Sequence, residues 1–76
     1  MNKAKRQQLH EATSLLQRAQ TLVENVLDSE QDNLDNMAEY FENTEKYQKI
    51  EDAVDALDSA IKNIDDAILN VETASA

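Results

Sequence analysis

A regular apolar repeat in the second half of the chain constrains the fold most. Apolar side chains recur there at alternating spacings of three and four residues, at Tyr47, Ile50, Val54, Leu57, Ile61, Ile64, Ile68 and Val71. This spacing places them on one face of an α-helix as the seam of a coiled coil, whereas a strand would need a two-residue period. We therefore predict a helix over about residues 44–73, with Thr44 as its N-cap and Glu45 in its first turn.

A row of small residues lies beside this seam. Its members are seven residues apart: Ala53, Ala60, Ala67 and Ala74. Because the side chains at a helix contact set the distance between the helix axes, this row allows a neighbouring helix to approach closely.

The first half of the chain shows a similar seam. It contains Leu9, Ala12, Leu16, Ala19, Val23 and Val26, and Leu15 and Leu22 widen it on one flank. We predict a first helix over about residues 3–34, capped by Asn2. Asparagines at 33, 36 and 43 favour turns, so residues 35–43 are predicted as the connection.

The pattern predicts a single all-α domain over residues 1–76, an antiparallel, coiled-coil-like two-helix hairpin. The chain contains no glycine and no proline, which argues against β-hairpins and glycine-rich phosphate loops. Because each stripe is wider than one partner helix can cover, we expect self-association into a four-helix bundle, with a dimer as the simplest form. The predicted oligomer core is Leu9, Leu16, Val23, Val26, Tyr47, Ile50, Val54, Leu57, Ile61, Ile64 and Ile68.

The charge balance limits the classes of partner. With 16 acidic and 7 basic side chains the net charge is −9, which argues against binding to duplex nucleic acid. The longest apolar runs are pairs such as Leu15-Leu16, so no membrane-spanning segment is expected. We expect a cytoplasmic protein with a protein partner. The hairpin alignment also predicts that Lys3, Lys5 and Arg6 lie near the acidic residues Asp65, Asp66 and Glu72.

The connection and the second helix carry a more specific pattern. Its residues are Asp35-Asn36-Met37, Glu42-Asn43, Thr44-Glu45-Lys46-Tyr47, the run from Ile50 to Leu57, and Ala60-Ile61. Over residues 29–72 the chain resembles short acidic proteins of bacteriophages and prophages, with Ala38 where those proteins have proline. The resemblance implies a helical hairpin and a mobile-element setting in a bacterial host, and it implies no reaction.

The inventory of reactive residues argues against an enzyme, a cofactor or a metal centre. There is no cysteine and only one histidine, His10, which we expect to be exposed. One acidic segment has the spacing of a calcium loop, with oxygen ligands at Asp28, Glu30, Asp32, Asn36 and Glu39. Asn33 stands where such a loop needs glycine, so an acidic outer face of the first helix is the preferred interpretation.

We interpret the chain as a non-enzymatic interaction protein of phage or prophage type, and its charge suits a polyanion-like inhibitor of a host factor or defence. The predicted partner-binding residues are Glu51, Asp52, Asp55, Asp58, Asp65, Asp66, Tyr40 and Phe41. Tyr40, Phe41 and Tyr47 alternatively close the end of the bundle, with Tyr47 on the seam. Two other functions remain: a nucleotide or RNA binder that uses Lys3, Lys5, Arg6 and Arg18, and a structural assembly factor.

Overall fold

Two α-helices that pack against each other form the fold, as a computed structural model shows. α1 spans Lys3–Phe41 and α2 spans Glu45–Ser75. The structure describes the backbone of residues 1–41 and 44–76 and the side chains of residues 1–37 and 44–76. The hairpin is a thin rod, with Cα extents of 58 × 15 × 13 Å. The predicted all-α, coiled-coil-like hairpin is confirmed.

Side chains cap both helix starts as predicted. The Asn2 Oδ1 accepts a hydrogen bond from the Lys5 amide at 2.8 Å. Thr44 has an extended backbone, with φ −85° and ψ 157°, and its Oγ1 accepts from the Tyr47 amide at 3.2 Å. Each cap satisfies one of the amides that the first helical turn leaves without an intrahelical partner.

Removing the second cap is expected to destabilise the hairpin moderately. We expect Thr44→Ala to lower the free energy of unfolding by about 1 kcal/mol, the usual effect of losing a threonine N-cap. Urea titration followed by circular dichroism measures this change. Ser59→Ala is the control, because Ser59 is exposed inside α2, where alanine is the better helix former. Equal stability of the two variants would contradict the capping role.

α1 is longer than predicted. It continues to Phe41 through most of the segment that was predicted as the connection, and α2 ends at Ser75 rather than near residue 73. The physical reason is that Leu34, only 6% exposed, and the half-buried Met37 extend the contact with α2. This packing outweighs the turn preference of Asn33 and Asn36, which are exposed on the helix surface.

The seam of α2 is confirmed at every predicted position, but the seam of α1 differs. All eight seam residues of α2 are half-buried or buried. In α1 the predicted positions Ala12 and Ala19 are half-buried, and the other half-buried or buried residues step by four and three: Leu9, Thr13, Leu16, Gln20, Val23, Leu27, Glu30, Leu34 and Met37. Val26 was predicted in the seam and is instead 51% exposed, because Leu27 occupies the seam position beside it. Ala12 and Ala19 lie at the edge of the seam.

Candidate interaction surfaces

One side of α2 carries six carboxylates, and we call it the acidic face. Its members are Glu51, Asp52, Asp55, Asp58, Asp65 and Asp66. The positions 51, 58 and 65 follow one flank of the seam at seven-residue intervals, and the other three lie further out on the helix. Glu51 is half-buried and the remaining five are exposed. Along the axis the face extends about 22 Å, at 1.5 Å per residue.

Local partners compensate little of this negative charge. Lys62 Nζ lies 3.2 Å from Asp58 Oδ2, and Gln48 Nε2 donates to Asp52 Oδ1 at 3.0 Å. The second ion pair within residues 1–37 and 44–76 joins Lys49 to Glu45 at 3.5 Å, outside the acidic face. Such exposed pairs within one helix contribute about 0.3–0.5 kcal/mol each. Most carboxylates of the acidic face therefore keep their charge available to a partner.

Gln20 links α1 to the acidic face and fixes which flanks of the two helices lie together. Its Nε2 donates to Asp65 Oδ1 at 2.5 Å and to the Ile61 carbonyl at 3.3 Å. On α1, one turn before and after Gln20, the flank toward the acidic face carries Gln17 and Glu24. The alanine row of α2 therefore lies on the opposite side of the hairpin, next to the other flank of α1.

That opposite side is apolar, and we call it the apolar face. It consists of Leu15, Leu22 and Val26 from α1 and the neighbouring Ala53, Ala60 and Ala67 from α2. The three α1 side chains are 61%, 57% and 51% exposed. Ala60 and Ala67 are half-buried and Ala53 is exposed.

The apolar face is free of acidic residues, in a chain that has 16 of them. Over residues 8–36 and 53–74, the seven-residue rows that contain its members and the adjoining outer row of α2 carry no acidic side chain. These rows contain only Gln8, Ala12, Leu15, Ala19, Leu22, Val26, Ser29, Asn33, Asn36, Ala53, Ala56, Ala60, Asn63, Ala67, Asn70 and Ala74. The negative charge of the hairpin therefore lies away from the apolar face.

The basic start of α1 makes no ion pair with the acids that were predicted to lie near it. Lys3, Lys5 and Arg6 are exposed, and in the part of the chain that the structure describes none of them lies within ion-pair distance of Asp65, Asp66 or Glu72. The contact from Gln20 explains the difference, because it places Asp65 about 20 Å along the axis from Arg6, fourteen residues away on α1. Arg18 is also exposed.

The acidic segment with calcium-loop spacing is helical. Asp28 and Glu39 both belong to α1, so their Cα atoms are separated by about 16 Å along the helix axis instead of converging around one ion. Among the described residues, no three side chains of the metal-ligating types are grouped together. His10 is exposed, as predicted.

The aromatic cluster is described only in part. Tyr47 is half-buried on the seam, as predicted. The side chains of Tyr40 and Phe41 lie outside the described residues, so their predicted role as contact residues stays a prediction.

The fold is a helical hairpin with an exposed acidic face and an exposed apolar face. No family model matches this sequence, and no curated protein or solved structure matches it. In the described residues, neither helix contains a segment that is long and apolar enough to cross a membrane.

Proposed function

We propose that this chain is a non-enzymatic interaction protein that binds a basic protein through its acidic face. The single observation that carries the proposal is the one-sided placement of the six carboxylates of the acidic face, of which only Asp58 pairs with a lysine in the described residues. A rod with exposed carboxylates along one side presents charge much as a polyanion does. Such a surface speeds the approach of a basic partner through long-range attraction.

The proposed setting is a phage or prophage in the cytoplasm of a bacterial host. The resemblance over residues 29–72 supports this setting. The sequence has no cysteine and a single histidine, and this small set of reactive side chains supports a binding role. The proposed target is a host factor or defence protein whose nucleic-acid-binding surface is basic. The proposed active form is a four-helix bundle of two hairpins, because each hairpin leaves one apolar side uncovered.

Neutralising part of the acidic face tests the binding proposal. In the variant Asp55→Asn, Asp58→Asn, Asp65→Asn we expect capture of basic proteins from bacterial lysate to fall about tenfold or more, because the attraction depends on these charges. Quantitative mass spectrometry of the retained proteins measures the effect. The fold is expected to persist, since all three side chains are exposed.

A second triple variant, Asp28→Asn, Asp32→Asn, Asp35→Asn, is the matched control. It changes the net charge by the same amount, and its three residues are exposed on α1. We expect this variant to retain most of the capture. Equal loss in both variants would show that total charge, and not the acidic face, determines binding.

The unpaired cations of α1 favour one alternative, a nucleotide- or RNA-binding bundle. Lys3, Lys5 and Arg6 are exposed and make no ion pair with the described residues, so they are available to phosphate groups. The distinguishing variant is Lys3→Gln, Lys5→Gln, Arg6→Gln, assayed with single-stranded RNA and with ATP as probes. Phosphate-ligand binding that this variant abolishes, combined with unchanged protein capture by the acidic-face variant, would replace the first proposal by the alternative.

A further inference from the structure

The hairpin exposes more surface than a folded chain of its mass normally does. Its accessible area is 5672 Å² for 8.6 kDa. The scaling of accessible area with mass in monomeric proteins gives about 4,700 Å² for this size. The excess of about 1,000 Å² is close to the ~800 Å² that each partner buries in a stable protein interface. Leu34 and Ile68 are the only buried apolar residues among those described, so the core also lacks a covering layer.

We propose that a second copy of this chain covers the apolar face, with the two hairpins related by a two-fold axis parallel to the helices. This inference deepens the four-helix bundle of the proposed function and names the residues of its interface. In this arrangement Leu15, Leu22 and Val26 of each copy pack on the alanine row of the other. Every helix then has antiparallel neighbours, as in a regular four-helix bundle.

The shape of the apolar face is complementary to itself. Leu15, Leu22 and Val26 are a row of large side chains over about 16 Å of α1, here called the ridge, and Ala53, Ala60 and Ala67 are a row of small side chains over about 21 Å of α2, here called the groove. The contact between Gln20 and the Ile61 carbonyl places Leu22 and Ala60 at the same level along the rod, to within one helical turn. Rotation about a two-fold axis parallel to the rod does not change the position of a residue along the rod. The ridge of each copy therefore meets the groove of the other, in two equivalent contacts.

Charge favours a second copy over a basic partner at this face. Two copies, each with a net charge of −9, repel each other wherever their carboxylates meet. When the two copies pack through their apolar faces, both acidic faces stay on the outside of the bundle. A basic partner would gain nothing there, because the apolar face has no carboxylate and the nearest charged residues of α2 on that side are Lys46 and Lys49.

The variant Leu22→Glu tests the interface. Leu22 is 57% exposed in the hairpin, so the change leaves the packing between α1 and α2 intact. Sedimentation equilibrium is expected to show a dimer for the original chain at micromolar concentration and an increase of about tenfold or more in the dissociation constant of the variant, because a buried hot-spot contact is replaced by a charge. Leu69→Glu is the matched control. Leu69 is 61% exposed on the acidic side of α2, and its variant is expected to dimerise normally.

Disulfide trapping provides a second test, which does not depend on weakening the dimer interface. Since the chain has no cysteine, single thiols report single contacts. Mixing Leu22→Cys chains with Ala60→Cys chains under mild oxidation is expected to give the mixed, linked dimer. Mixing Leu69→Cys with Ala60→Cys is expected to give little of it.

Two results would overturn the inference: a monomeric original chain, or a dimer that Leu69→Glu weakens and Leu22→Glu does not. A linked product of equal yield in both cysteine mixtures would also overturn it. These results concern the oligomeric form alone, and capture by the acidic face is measured in a separate assay, so failure of the dimer is distinguishable from failure of the binding proposal.

Discussion

Ile68→Asp is expected to abolish the cooperative fold. Ile68, in the C-terminal half of the α2 seam, is 9% exposed, so the change removes apolar burial and places an unpaired carboxylate between the helices. The combined effect is on the order of 3–5 kcal/mol. A chain of this size has about the same total stability to lose. Far-UV circular dichroism should show low helicity without a melting transition.

The next residue in the chain provides the control. Leu69 is 61% exposed, so Leu69→Asp adds the same charge outside the seam and is expected to retain the helicity and the melting transition of the original chain. If both variants melted like the original chain, the assignment of the α2 seam would be wrong.

Asn36→Pro is expected to lower the free energy of unfolding by about 3 kcal/mol, because proline inside a helix removes a hydrogen bond and clashes with the preceding turn. Asn36 is exposed, so the effect comes from the backbone and not from lost side-chain packing. Urea titration of the purified variant measures it. The result tests whether α1 continues beyond residue 34, since proline in a connection would be tolerated.

Glu45→Pro is the matched control for this change. Glu45 is the first residue of α2, where proline fits the helix geometry and its missing amide proton has no intrahelical role. We expect a loss below about 1 kcal/mol, most of it from the ion pair with Lys49. Equal effects of the two prolines would place Asn36 outside a helix.

The second helix was predictable from sequence because its seam contains only apolar side chains. The step from Tyr47 to Val71 at three and four residues has no interruption, and Thr44 supplies a recognisable cap. Local preference and tertiary packing agree along this whole segment, so a pattern of residue types is sufficient to define it.

The first helix was predicted less well because three of its seam positions are polar. Thr13, Gln20 and Glu30 face α2, and the apolar pattern favours Ala12 and Ala19 beside the first two. At Val26 the pattern was wrong for another reason, because Val26 and the seam residue Leu27 are both apolar. Leu27, Leu34 and Met37 did carry a usable signal, since they continue the seam at four and three residues from Val23. That signal competed with the turn preference of the nearby asparagines, and only the packing of Leu34 decides the outcome.

For the candidate surfaces, too, the sequence predicted one part and missed another. The acidic face could be predicted because its position relative to the α2 seam depends only on helical periodicity. The position of Lys3, Lys5 and Arg6 relative to Asp65 depends on how far one helix is displaced along the other. No periodic pattern specifies that displacement, and the contact made by Gln20 reveals it.

The contact made by Gln20 also has a consequence for how the two helices can slide. Asp58 and Glu72 stand seven residues to either side of Asp65. A shift of α1 along α2 by about 10 Å would therefore offer Gln20 another carboxylate and the apolar side chains another matching set. We expect repeated energy minima along this coordinate, and the three residues between Phe41 and Glu45 limit how far one helix can be displaced, because an extended chain spans at most about 3.5 Å per residue. The length of this tether, and not the polar contact, selects one alignment, so a longer tether would allow two alignments to coexist.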